Sequence, residues 1–462
     1  MSSQTNPYLT GPLGPIYART ALPIICVMGM NGLLAVVDAL FLGHFAGPDA
    51  LAAVTLMFPI YMLIVALATL VSTGMSSGLA RHLGARRLDK ARAVFASAHG
   101  LAVALGLILI ALFIGGGARV TLLAAGGSAP LAEMGLVYLR ILVLASPMVF
   151  VLAVNSDALR NEGFVLFMAA MSLSVAVANM IFNFVLIGGL DMGVAGSAYG
   201  TVLAQGLALG GILAFRILGN ATLQPGALWR HSLVAGWGRI LALGAPQSLN
   251  FIGLALGSAA ILAALQWVEA PQYDATVSAY GIITRVVTFA FLPLLGLAHA
   301  MQTITGHNHG AGAFERSDRS LRTAVVAALL YCLAVQVGMT GFAARIGSAF
   351  VDDPVVISEV ARILPIMSAG FFLAGPLMMI AVHFQAIGDA GRAAILGLSK
   401  PYLFAIPLTF VLSGSLGEIG VWIAAPVAEA LLLGLTGLVL ARLARDHSLR
   451  WGVFQAHGEG RL

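Results

Sequence analysis

Long apolar blocks separated by short polar turns make up almost the whole chain. Twelve of them, at residues 20–43, 51–79, 94–115, 134–159, 164–187, 194–218, 240–267, 276–303, 321–347, 357–384, 394–413 and 419–440, are long enough to cross a bilayer as helix, which takes roughly 20 residues. Strict apolar–polar alternation does not recur, so helices are the only predicted spanning element whose backbone groups are satisfied in lipid. The predicted fold class is an all-α membrane protein with twelve transmembrane helices.

Composition removes the alternatives. Of the 462 residues 60% are hydrophobic and 9% charged, with mean hydropathy +0.96, whereas a soluble domain has about a quarter of its residues charged. The formal charge of +5 does not point to nucleic acid, because the basic residues are scattered over many turns and form no run with interleaved aromatics. Cys26 and Cys332 lie in separate apolar blocks and read as small core residues, not as a disulfide framework. Residues 1–19 lack the charged-then-apolar layout of a cleavable signal, so the first helix is expected to be its own insertion signal.

Charge placement predicts topology. With the N-terminus in the cytoplasm, the inward turns hold Arg81, Arg86, Arg87, Lys90, Arg92, Arg160, Arg216, Arg230, Arg239, Arg316, Arg319, Arg322 and Arg392, and the tail holds Arg442, Arg445 and Arg450. The outward turns hold little besides Arg119 and Arg345 as bases, with the acids Asp49, Asp191, Glu269, Asp274, Asp352, Asp353 and Glu418. The positive-inside rule then places both termini in the cytoplasm.

The chain also repeats itself. Pro23 opening the first block matches Pro246 opening the seventh (246 − 23 = 223), Gly84-Ala85 matches Gly310-Ala311 (310 − 84 = 226), and Gly193-Val194 matches Gly420-Val421 (420 − 193 = 227). Because six spans is an even number, both halves start on the same side, which predicts two six-helix lobes related by a pseudo-two-fold axis along the membrane normal. The expected division is residues 1–224 and 225–462, with the seam in the polar loop 219–238. Substrate paths between parallel lobes are a transporter arrangement.

Within this apolar background, Asp38 is the outstanding residue. An acid at the centre of a membrane helix costs roughly 2.5–3.5 kcal/mol even on insertion scales, and such residues are functional by default. Asp38 lies seven residues before Phe45, roughly 10 Å inside the outer boundary at 1.5 Å per residue. Asn179 and Asn183 share one face of the fifth helix at i, i+4, and Thr201 on the sixth helix falls at a similar depth. A carboxylate with neutral amide and hydroxyl partners suits a cation or proton site. The amides and hydroxyl also fit ordinary interhelical hydrogen bonding. In the second half, Glu429 and Arg285 stand near midspan, either as substrate or ion contacts or as a structural pair. Asp157 and Arg160 are spaced for an i, i+3 ion pair. No metal-ligand spacing or nucleophile–base motif is present, so neither a catalytic nor a metal site is expected and the chain is not read as an enzyme.

The run Val36-Val37-Asp38-Ala39-Leu40-Phe41-Leu42-Gly43-His44-Phe45, with Phe58-Pro59-Ile60, Ala80-Arg81-His82-Leu83-Gly84-Ala85, Leu159-Arg160-Asn161-Glu162-Gly163 and Gly306-His307-Asn308-His309-Gly310-Ala311, resembles the multidrug and toxic compound extrusion (MATE) transporters. Gly420-Val421-Trp422-Ile423-Ala424-Ala425-Pro426 looks like their bacterial DinF- and MepA-like branch, and the likeness runs from about residue 21 to 440. The resemblance implies an antiporter of the inner membrane that exports hydrophobic or cationic organic compounds in exchange for H⁺ or Na⁺. Its coupling site falls on Asp38, Asn179, Asn183 and Thr201. Some proton-coupled relatives have an aspartate where this chain has Asn183, and NorM-like members have a seventh-helix acid where this chain has Gln247, Ser248 and Asn250. The expected partners are small amphipathic or cationic substrates and the lipid bilayer, with no nucleic acid, no cofactor beyond the coupling ion, and a monomeric state. The rival readings are a flippase for lipid-linked saccharides, which calls for a basic cavity, and a membrane receptor or structural protein without flux.

Overall fold

A computed structural model describes residues 6–219, 221–269 and 272–447. Arg450, one of the tail arginines in the topology argument, lies outside the described residues. Among the described residues there are helices and turns but no strand. Ten helices are long and apolar enough to cross a membrane, from Leu13–Ala46 to Glu418–Asp446. Two further bent pairs, Ala129–Leu144 with Ser146–Asn161 and Pro354–Met367 with Phe371–Ile387, bring the crossings to twelve when each counts as one.

Those two bends depart from the apolar pattern, which predicts continuous fourth and tenth spans. The fourth bends by 50° and the tenth by 46°. In the fourth span, Pro147 has no N–H to give the Val143 carbonyl and its ring would collide with it, so the helix ends and Ala145 N–H closes the previous turn. Gly106 on the third span admits this corner, since a methyl there would come within 2.8 Å of Pro147 Cα. In the tenth span the break lies between Pro365 and Pro376, where the Leu364 carbonyl accepts from both the Ser368 N–H at 3.0 Å and the Ser368 hydroxyl at 2.7 Å. The bends sit at Ala145 and Ser368, one repeat apart (368 − 145 = 223).

By internal packing the chain divides into two units. The first comprises Leu22–Ser248 with the N-terminal residues to Thr10, and the second comprises Gly11–Ala21 with the residues from Leu249 onward. The divisions fall within the first helix beside Pro23 and within Trp237–Trp267 beside Pro246. In the first unit, Met75, Leu79, Phe95, Phe150 and Val154 form the core, and Leu223, Ala227 and Ile240 from the connecting segment join it. In the second, Phe384, Ala393, Leu396 and Leu443 form one buried cluster.

The first unit is tied at one end by buried polar groups. Arg160 pairs with Asp157 at 2.6 Å in the i, i+3 relation expected from sequence, and Tyr8 Oη donates to the Arg160 carbonyl at 2.5 Å. Burial pushes the Tyr8 phenol well above its ordinary range, so it stays a neutral donor. Arg216 and Glu162, both wholly buried, pair at 2.7 Å. Arg216 also donates to the Leu223 carbonyl at 2.7 Å, while Glu162 accepts from Leu223 N–H at 2.8 Å. This pair fastens the connecting segment to the end of the fourth span and to the sixth span.

Candidate functional site

In the first unit two helices change winding at the same place. The first helix, Leu13–Phe41, runs into a π-helical turn at Leu42–Ala46, and Val165–Asn183 runs into another at Phe184–Gly189. Such π segments occur often at functional sites because the wider turn re-aims side chains. Asp38 lies one turn before the first, and Asn183 is the last α-helical residue before the second. Leu42, Ala50, Ile187 and Val194 pack into a small apolar cluster around these turns.

The sixth span, Gly193–Leu218, approaches the fifth through Gly196 and Gly200, a small-xxx-small pair that lets helix backbones come close. A methyl at Gly196 would lie 3.1 Å from the Leu186 carbonyl oxygen. At Gly200 it would lie 2.1 Å from Asn183 Oδ1. The amide of Asn183 therefore occupies the volume that any other residue at position 200 would take.

This packing brings Asp38, Asn179, Asn183 and Thr201 together. Asn183 Nδ2 donates to Asp38 Oδ1 at 2.7 Å and to Asn179 Oδ1 at 3.2 Å. Asn179 Nδ2 donates to Thr201 Oγ1 at 3.1 Å, and Thr201 passes its own hydrogen to the Ser197 carbonyl at 3.1 Å. Asn179 and Asn183 are almost fully buried, and Asp38 is half-buried.

The Asn179 amide fits in either of two orientations. The Asn179 amide oxygen faces Asp38 Oδ1 at 2.7 Å, so a hydrogen must lie between two acceptors. With a proton on the carboxyl group, Asp38 donates to that oxygen and every contact above is satisfied. In the other orientation the Asn179 nitrogen donates to an ionised Asp38 and its oxygen accepts from Thr201, at the cost of the bond from Asn183, since two NH₂ donors then face each other at 3.2 Å. Tyr61 on the second span and Tyr138 on the fourth lie within electrostatic reach of Asp38.

The second-half candidates do not meet. Glu429 is buried and pairs with Lys400, not with Arg285, whose side chain is exposed. Lys400 belongs to a third π-helical segment, Ser399–Ala405, with its ammonium 6.0 Å from the centre of the Phe291 ring. Gly370, at the break of the tenth span, packs against Glu429, where a methyl would lie 3.1 Å from its Cβ. Glu429 Oε2 is buried without a hydrogen-bond partner among the described residues. Lys400 is thus a further cation inside the spans of this unit, in addition to Arg285.

Three features went unread in the sequence. Lys400 was legible as a lone charge inside the block 394–413. Gly200 was legible as the second glycine of a four-residue spacing. Tyr61 and Tyr138 carry no such signal, since nothing local separates them from core aromatics.

Comparison with known proteins follows the same lines. The MatE family model matches residues 23–185 and again 249–411, two copies 226 residues apart (249 − 23 = 226). The chain is similar to a protein named "FAD transporter" from Shewanella oneidensis, 25% identical over 449 residues, covering 94% of this chain and 95% of the relative. It is also similar to "Multidrug export protein MepA" from Staphylococcus aureus, 22% identical over 429 residues and covering 92% and 93% of the two chains. A crystal structure described as MATE in the bent conformation superposes with a TM-score of 0.86 at 22% identity, covering 96% of this chain and 98% of that one.

Proposed function

Because the chain belongs to the MatE family of multidrug and toxic compound extrusion transporters, we propose that it is a secondary antiporter exporting an amphipathic, commonly cationic, organic compound as H⁺ or Na⁺ enters at Asp38. It is a multi-pass membrane transporter and not an enzyme. The reading rests on one observation above all: a carboxyl group within a span, held at 2.7 Å by the buried amide of Asn183 and within reach of Asn179. H⁺ suits this arrangement, since a proton completes the network by itself, whereas a sodium ion needs several oxygens and Asn183 turns its nitrogen toward Asp38. The ion drives transport only through a difference in its affinity for the two access states.

Proteoliposomes carrying separate pH and sodium gradients test this. Asp38→Asn should insert normally and lose gradient-driven efflux; full efflux by that variant refutes the assignment. We place the protein in the inner membrane as a monomer with both termini cytoplasmic, which reporter fusions at the two ends would check.

Lys400 favours a second reading of the substrate. A cation inside the second unit, beside an aromatic ring, is chemistry that a phosphorylated aromatic compound could use, and one relative is named an FAD transporter. Competition between FAD and a lipophilic cation for efflux separates the two substrate classes. A lipid-linked-saccharide flippase makes the same demand for cations, and in either case Lys400 has to leave Glu429 to meet the substrate.

A further inference from the structure

The second unit has a cleft that the transport reading does not use. The start of the first helix, at Gly11, Pro12 and Leu13, forms one wall, and the first turns of Phe314–Gly341 form the other, enclosing about 580 Å³. The walls are fixed to each other, since Tyr17 Oη bonds the Ser320 hydroxyl at 2.7 Å and Ser320 in turn bonds Thr305 at 2.9 Å.

Arg316, Arg319 and Arg322 line this cleft at i, i+3 spacing, on one face of the helix. Arg316 sits in its first turn, where the backbone dipole is already positive, and the like charges of Arg319 and Arg322 follow on the same face, which favours an anion beside them. Glu315, also on the lining, answers Arg319 at 3.9 Å, with both side chains exposed. Asp318 and Arg322 have partners of their own. Arg316 differs: its Nε and Nη2 are buried and find no acceptor among the described residues. Buried guanidinium donors without acceptors are costly, and the planar fork matches the oxygens of a phosphate group.

We propose that this cleft binds a phosphate group, with Arg316 as the bidentate contact and Arg319 beside it, supplied either by the headgroup of an anionic lipid or by a free phosphate. Its position at the ends of two spans suits a headgroup. The site is separate from Asp38, and its test does not depend on transport.

Native mass spectrometry of the delipidated full chain would be titrated with phosphatidylglycerol, phosphatidylcholine and inorganic phosphate in separate arms. Phosphatidylglycerol should be retained in preference to phosphatidylcholine, and Arg316→Gln with Arg319→Gln should weaken it about tenfold or more. Arg316→Lys, which keeps charge and loses the fork, should fall between, while Arg345→Gln on the separate helix Ala343–Ser348 should match wild type. Retention of inorganic phosphate with the same sensitivity to Arg316 assigns the source to free phosphate and supports the site. Equal retention of both lipids, or anion binding indifferent to both arginines in folded variants, overturns it.

Discussion

Gly200→Ala is a one-carbon test of the coupling site. The added methyl would stand 2.1 Å from Asn183 Oδ1, against roughly 3.5 Å for ordinary non-bonded contact. With the sixth helix held at its present spacing, the Asn183 amide must swing away. It then loses its 2.7 Å bond to Asp38 and its 3.2 Å bond to Asn179. A hydrogen bond to a charged group contributes about 1.5–3 kcal/mol. At about 1.4 kcal/mol per tenfold, the coupling-ion concentration for half-maximal transport should shift by roughly 10- to 100-fold. The assay is substrate efflux from proteoliposomes across a range of imposed gradients, with thermal unfolding measured in parallel. Gly210→Ala, with open space around its methyl on the same span, is the matched control and should be silent. A folded Gly200→Ala protein with the wild-type ion dependence would refute the claim that Asn183 holds Asp38.

Other outcomes follow from the buried charges. Glu162→Gln leaves the wholly buried Arg216 without its counter-charge, which should cost about 3–5 kcal/mol and lower the folded yield on size-exclusion profiles. Converting both Glu162 and Arg216 to Met should restore most of it, and failure to do so would mean the pair does more than neutralise itself. Lys400→Met should weaken competition by FAD more than competition by a lipophilic cation, read as the ratio of half-inhibitory concentrations. An unchanged ratio removes Lys400 from substrate recognition. Asp38→Asn and the cleft arginines have their tests above.

Much of this protein was readable from the chain because lipid leaves few choices. Backbone groups in hydrocarbon must be satisfied within helices, so apolar length alone marked twelve crossings, and the recurring Pro23 and Pro246 marked the duplication. Asp38 announced itself because a charge in an apolar run is too costly to be idle, and helical rise placed Asn179, Asn183 and Thr201 at its depth. Depth does not say which faces meet, and there the sequence reading stopped. The approach of the fifth and sixth spans over Gly196 and Gly200 decided that Asn183 touches Asp38. Packing likewise gave Glu429 to Lys400 and not to Arg285, and bent the fourth and tenth spans where a proline-broken helix found a glycine or a serine to receive it. Periodicity along one helix records its own winding, whereas the partner of a buried polar atom depends on the rotation and spacing of a second helix, which no local pattern encodes.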